Sequence, residues 1–118
     1  VQVRLACAAY STRATFGWIK PASNIPVLDA LAVLARDGAL VLLVAHRGAE
    51  CGPLEVALDL GGLKAAGPAE VLLLSGESMY DQNTAEEPER IVPRKSSLAP
   101  GAPLTLPPYS LARVTFRA

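Results

Sequence analysis

Net charge and long apolar runs are both scarce in this sequence. Eleven basic residues balance eleven acidic ones, so the chain lacks the electrostatic footprint of a nucleic-acid binder. The longest purely apolar run, Ala39–Ala45, is far shorter than the ~20 residues that cross a bilayer as a helix. We therefore expect neither a nucleic acid nor a membrane as a partner. The compartment stays open, with a cytoplasmic location favoured over secretion.

Reactive side chains are also few. The single histidine, His46, has no Gly-x-Ser-x-Gly elbow to present a serine to it, so we expect a structural histidine at a strand end. Together with Cys51 and Asp59 it lacks the paired spacing of metal ligands. Cys7 and Cys51 could form one disulfide or remain two thiols, and we favour free, partly buried thiols. Neither a metal nor a cofactor is expected.

Aromatic residues make up only 5% of the chain. Tyr10, Phe16 and Trp18 gather in one predicted loop, and sugar rings stack on aromatic faces, which makes Tyr10 and Trp18 candidate substrate-binding residues. The alternative, which we prefer, is that these rings pack under the loop or against a neighbouring domain.

Carboxylates are present as a cluster of Glu86, Glu87 and Glu89. Acid–base chemistry by paired carboxylates needs one of them in apolar surroundings that raise its pKa. This cluster instead lies in a polar stretch beside Arg90, which indicates a solvated loop. We expect no catalytic residue in the chain.

The sequence is rich in short apolar segments, since 51% of its residues are hydrophobic and ten prolines and nine glycines interrupt them. Such frequent breakers favour short strands over long helices. We predict roughly seven to nine strands with turns every 8–12 residues, which is typical of an antiparallel sandwich or barrel. The length of 118 residues suits one all-β domain, residues 1–118.

Period-two alternation and short apolar runs locate the strands. In chain order, strands are predicted at 1–7, near 12–16, and at 27–36, 39–47, 54–60, 69–74, 91–92, 104–106 and 110–117. Residues 77–89 and the pair Arg94–Lys95 are predicted to be surface loop, and Tyr109 a core or corner ring. Segment 27–36 also has the Ala and Leu content of a helix, but the Asp37–Gly38 turn that follows favours a hairpin.

Four phrases of the sequence resemble one known family. Asn83–Pro93 reads NTAEEPERIVP and Leu106–Leu111 reads LPPYSL, while Ile25–Val33 and Gly38–Arg47 supply two more phrases in the same order. Together they resemble the carboxy-terminal end of the family 51 glycoside hydrolases, the α-L-arabinofuranosidases. His46 departs from the pattern, because the family usually has Asn there.

The resemblance implies a jelly-roll β-sandwich that follows, and packs against, a (β/α)₈ barrel. It implies a parent enzyme that removes terminal non-reducing α-L-arabinofuranosyl residues from arabinose-containing polysaccharides and oligosaccharides, with retention and without a metal. The catalytic glutamates would lie on the barrel, outside this chain, so the chain alone would be inactive. A homo-oligomer is also implied.

The chain looks like part of a longer protein, because it begins at Val1 without an initiator Met or a leader. In the resembled family the sandwich also recruits chain from before the barrel, so the 118 residues alone would leave an edge and an apolar face uncovered. We expect them to self-associate or to need a partner. Two other functions fit the strand pattern: a non-catalytic carbohydrate-binding module and an immunoglobulin-like interaction domain.

Overall fold

Nine strands and a short 3-10 turn form the part of the chain that the structure describes, residues 1–15 and 17–117 of this computed structural model. The strands are β1 Ala9–Tyr10, β2 Ile25–Pro26, β3 Leu28–Leu34, β4 Leu40–His46, β5 Leu54–Val56, β6 Ala69–Ser75, β7 Arg94–Leu98, β8 Leu104–Leu106 and β9 Ser110–Phe116. The 3-10 turn is Ala49–Cys51. The predicted all-β class and strand number are confirmed.

Five of the strands form one antiparallel sheet in the order β3-β4-β9-β6-β7. The pair β5-β8 forms a smaller sheet, and β1-β2 forms a third. Leu104 and Leu106 of β8 belong to the same buried cluster as Val44 of β4 and Val114 of β9. The small sheet therefore covers one face of the large one, which makes the fold a β-sandwich.

The core follows the period-two pattern of the sequence. In β9, Ala112, Val114 and Phe116 are buried, while Leu111 and Arg113, which alternate with them, are exposed. Alternate side chains of a strand point to opposite faces, so one face of the large sheet carries the core and the other faces outward.

The hairpin prediction for residues 27–47 is confirmed, with β3 and β4 paired from Leu28–His46 to Leu34–Leu40. The amide of Ala39 donates to Asp37 Oδ1 at 3.1 Å, and Gly38 has a φ of 84°, which a side chain would strain. The helix propensity of the Ala- and Leu-rich strand is overridden because this turn and the pairing with β4 hold it extended.

Two predicted strands are wrong. Residues 1–7 form no strand; they line a groove together with residues of β3, β4 and β5. Ile91–Val92 forms none either, since the side chain of Asn83 occupies both backbone groups of Ile91. The strand in that region is instead β7, which includes Arg94 and Lys95, so the prediction of a loop for this pair is also wrong.

Four smaller differences concern extent and exposure. Residues 12–15 form no strand, and the rest of that prediction, Phe16, lies outside the described residues. Burial alternates from Leu54 to Leu60, but the ladder covers only Leu54–Val56. The two cysteines are free but exposed. Tyr109 forms a corner, with a φ of 56° and 40% exposure, so it is not a core ring.

Candidate docking surface

One end of the large sheet gathers the long loop 76–93 and the corner 107–109. Strand β6 ends and β9 begins there, with Ser75 opposite Ser110. The amide of Gly76 donates to the carbonyl of Tyr109 at 3.3 Å, so the loop leaves the sheet beside the corner. Neighbouring antiparallel strands therefore bring two segments distant in sequence to one place.

Asp81 organises the first half of this loop. Its carboxylate accepts hydrogen bonds from the amides of Glu77 (2.6 Å) and Ser78 (3.2 Å) and forms an ion pair with Arg90 at 3.2 Å. The Glu77 amide is the main cause that lowers the pKa of Asp81, and the Ser78 amide and Arg90 act in the same direction. The carboxylate is thus an ionised anchor of the loop.

Asn83 and Thr84 hold the second half. Asn83 Oδ1 accepts from the amide of Ile91 at 2.6 Å, and its Nδ2 donates to the carbonyl of Ile91 at 2.9 Å. Thr84 Oγ1 accepts from the amide of Glu87 at 3.1 Å, and Glu87 also pairs with Arg90 at 3.0 Å. The loop has a defined shape without a hydrophobic core of its own, because its polar side chains replace ladder hydrogen bonds.

Large apolar side chains stand exposed on this polar frame. Met79 is 70% exposed and Tyr80 83% exposed at the start of the loop. Leu74 and Leu111, directly opposite each other on the outward sheet face, are also exposed at this end, as is Tyr109. We call these five residues the loop-end surface. Exposed apolar side chains on a preorganised frame are typical of a surface that another protein covers.

The carboxylates Asp81, Glu86, Glu87 and Glu89 all lie in loop 76–93. Asp81 and Glu87 each form an ion pair with Arg90, and Glu86 and Glu89 are exposed to water. Among the described residues no group of three or more His, Cys, Asp or Glu side chains could hold a metal ion.

The two candidate sugar-binding rings have different surroundings. Tyr10, in β1, is half-buried and packs against the core cluster. Trp18, in the turn between β1 and β2, is fully exposed. Of these two rings, only Trp18 therefore presents a free face on which a sugar could stack.

His46 is a buried strand-end residue. Its Nε2 lies 2.7 Å from the carbonyl oxygen of Gly52, which can only accept, so Nε2 carries the proton. The bond ties the end of β4 to the segment after the 3-10 turn. The described hydrogen bond of the His46 side chain is to a backbone carbonyl and not to a serine or cysteine that could act as a nucleophile.

Residues 1–15 and 17–117 contain no helix that is long and apolar enough to span a bilayer.

The family model for the α-L-arabinofuranosidase C-terminal domain matches residues 1–110. The chain belongs to this family. The β-sandwich is thus the C-terminal domain that occurs in α-L-arabinofuranosidases, which are glycoside hydrolases. No curated protein matches the chain.

Solved arabinofuranosidases share the fold. The GH51 enzyme of Thermotoga petrophila RKU-1 matches with a TM-score of 0.80 at 24% identity, over 95% of this chain and 24% of that one. The Thermotoga maritima enzyme, solved as an arabinose complex, matches with a TM-score of 0.79 at 24% identity, over 96% and 24%. The family 51 enzyme of Bifidobacterium longum is 30% identical, with a TM-score of 0.69, over 81% and 19%. The arabinofuranosidase domain therefore spans about a quarter or less of these enzymes.

Sequence reasoning missed Met79 and Tyr80. They lie within residues 77–89, which the sequence predicts to be a polar surface loop, and their exposure depends on how the loop folds. A signal did exist, because two large apolar residues in a polar loop without strand or helix period have no predicted core to enter.

Proposed function

We propose that this arabinofuranosidase domain is the C-terminal accessory domain of a longer enzyme, packed against a catalytic (β/α)₈ barrel outside the 118 residues. The enzyme hydrolyses terminal non-reducing α-L-arabinofuranosyl residues in arabinose-containing polysaccharides and oligosaccharides, with retention and without a metal. Family membership carries this proposal. The loop-end surface supports the accessory role, since it offers exposed apolar contact area.

The first test is the coding DNA upstream of Val1. An open frame that encodes a barrel with glutamates at two strand ends supports the proposal. A start codon next to Val1 overturns it, and a free-standing binding module then becomes the better description.

The catalytic part is tested in the full-length enzyme with an aryl α-L-arabinofuranoside as substrate. We expect the Glu86→Gln/Glu89→Gln variant to keep kcat within about twofold, because neither side chain reaches reacting atoms. Proton NMR of the first-formed arabinose reports whether the anomeric configuration is retained. A collapse of kcat with the fold intact would place the chemistry in this domain and overturn the proposal.

The docking part is tested with Met79→Ser/Tyr80→Ser in the full-length enzyme. Both side chains are exposed in the domain itself, so a loss of stability in the assembled enzyme reports a contact with another part of the protein. We expect the single calorimetric transition of the wild type to split or to shift downward.

Leu34→Ser is the matched control for this variant. Leu34 is 58% exposed and lies at the hairpin end of the sheet, away from loop 76–93. Equal shifts for the control and the double variant would overturn the assignment of the loop-end surface as the docking surface.

The second candidate function is carbohydrate binding, which the full exposure of Trp18 favours. Affinity electrophoresis on arabinoxylan decides between the two with a Trp18→Ala variant. Retardation that disappears in the variant supports a binding module, whereas an accessory domain shows no Trp18-dependent retardation.

A further inference from the structure

A hairpin arm connects β1 to β2. It comprises residues 11–15 and 17–24 of the described chain, and every one of these residues is exposed. The amide of Thr12 donates to the carbonyl of Ala22 at 2.8 Å, and the amide of Ala22 donates to Thr12 Oγ1 at 2.8 Å. The base of the arm is therefore held by hydrogen bonds that continue the pairing of β1 and β2, and not by burial of its side chains.

Two large apolar residues, Trp18 and Ile19, lie at the far end of the hairpin arm. Gly17 before them has a φ of 57°, a left-handed conformation that suits glycine in a turn. Trp18 is fully exposed and Ile19 is 72% exposed. Tryptophan is highly buried on average in folded proteins, because it has a large apolar surface. A fully exposed tryptophan at the end of a hydrogen-bonded arm therefore indicates a surface that binds a ligand or a partner.

The hairpin arm carries charge of one sign. Arg13 and Lys20 are its only charged residues, and residues 1–28 contain no Asp or Glu. Both side chains are exposed. Within the described part of the chain neither of them takes part in an ion pair. The formal net charge of zero for the whole chain thus conceals a cationic arm whose two charges are available to an anionic ligand.

The exposed ring and the two cations occur on the same arm. Arg13 precedes the turn that contains Trp18 and Lys20 follows it, so the cations lie on the two sides of the hairpin arm. An indole face stacks on a sugar ring, and a guanidinium or ammonium group pairs with a carboxylate. A neutral sugar polymer makes no use of the cations, and a nucleic acid needs a broader basic surface than two residues provide. The combination fits a sugar polymer that carries carboxylates.

We propose that the hairpin arm binds polysaccharides that contain uronate units. Trp18 stacks on a sugar ring of the polymer, and Arg13 and Lys20 pair with its carboxylates. The proposal rests on the second candidate function, carbohydrate binding, and adds the charge class of the ligand. The arm holds the enzyme on an acidic polymer and takes no part in bond cleavage.

Affinity electrophoresis of the full-length enzyme tests the arm. Native gels contain polygalacturonate, neutral linear arabinan or no polysaccharide, and the dependence of mobility on polymer concentration gives the Kd. The variants are Trp18→Ala and Arg13→Gln/Lys20→Gln. The matched control is Arg36→Gln/Lys64→Gln, which removes two exposed cations that lie outside the arm and also take part in no ion pair of residues 1–15 and 17–117. The gel without polysaccharide corrects for the change in net charge.

We expect polygalacturonate to retard the wild type and neutral arabinan to retard it far less. Trp18→Ala should raise the Kd for polygalacturonate about tenfold, because it removes the stacking face. Arg13→Gln/Lys20→Gln should raise it about fivefold at low salt and less at high salt, since exposed ion pairs are screened. The control should change the Kd by less than about twofold.

Several outcomes would overturn the proposal. Equal retardation by the two polymers would mean that the ligand is a neutral sugar, and an equal loss of binding in the control would mean that the charge acts without a site. No retardation of the wild type, an unchanged Kd in either arm variant, or equally tight binding of a single-stranded oligonucleotide would also overturn it. Hydrolysis of an aryl α-L-arabinofuranoside by the same wild-type sample tests the proposed enzyme activity separately, so the two failures are distinguishable.

Discussion

At the scale of single residues, close backbone approach limits what this domain accepts. Gly48, just after β4, is buried, and a Cβ added there would lie 2.6 Å from Val27 Cγ1. Val27 is only 1% exposed and cannot move aside without disturbing the core. The glycine is therefore required by packing rather than by its own φ.

We expect Gly48→Ala to lower the free energy of unfolding by about 1–3 kcal/mol through this overpacking. Urea unfolding followed by circular dichroism measures it. Gly67→Ala is the matched control, since a Cβ there meets nothing within 4 Å. A Gly48 variant as stable as the Gly67 variant would show that the Val27 contact is not tight.

Asp81 makes the loop-end surface sensitive to acid. Hydrogen bonds hold its pKa below the ordinary 3.8, so the stabilisation it provides is complete above that pH and is lost as the pH falls through the lower folded value. We expect the amide proton shift of Glu77 to titrate below pH 3.8, as followed by NMR. In the Asp81→Asn variant this titration of the Glu77 amide should vanish. A titration midpoint at or above pH 3.8 in the wild type would contradict the hydrogen bond from the Glu77 amide to Asp81.

At the scale of elements, strands could be predicted from the sequence where they have a recognisable turn or a clear pattern of apolar residues. The Asp37–Gly38 turn and the apolar run after it identified the β3–β4 hairpin against a competing helix propensity. β7 was missed because RKSSL shows little hydrophobic period, and a central neighbour, β6, supplies its ladder partners. The loop predicted at 77–89 is confirmed, but it extends over 76–93, and its shape depends on side-chain hydrogen bonds over eight residues that no local pattern encodes.

The short strand β8 attaches the small sheet to the large one. Leu106 is fully buried, whereas Thr105 beside it is exposed. We expect Leu106→Ala to lower the free energy of unfolding by about 2–5 kcal/mol, and Thr105→Ala to change it far less. Chemical denaturation of both variants measures the difference. Similar losses would mean that the ladder with β5, rather than core packing, holds the strand.

At the scale of the whole molecule, apolar surface remains on the outward sheet face and along β3. Leu31, Val33, Leu74 and Leu111 are all more than a third exposed. This distribution agrees with a domain that is covered by other chain in its enzyme, and it is the physical basis for proposing a homo-oligomer or a covering partner.

We expect the 118-residue chain expressed alone to self-associate as its concentration rises, as measured by light scattering. Leu31→Lys should reduce the association, because it places a charge on the apolar edge strand. Leu74→Lys is the control, since it adds the same charge to the same face on a central strand. Equal effects of the two variants would mean that the chains associate through the outward face of the sheet and not through the β3 edge. A wild-type chain that stays monomeric at high concentration would contradict the prediction of self-association.

The position of β9 has a consequence for the order of assembly. It follows every other strand in this sequence, yet it lies between β4 and β6 at the centre of the large sheet. During synthesis the β3–β4 and β6–β7 hairpins can form early, but they cannot join until Ser110–Phe116 has left the ribosome. The sheet is completed last at its middle, so a nascent chain that stalls before Ser110 exposes two unjoined halves to chaperones and proteases.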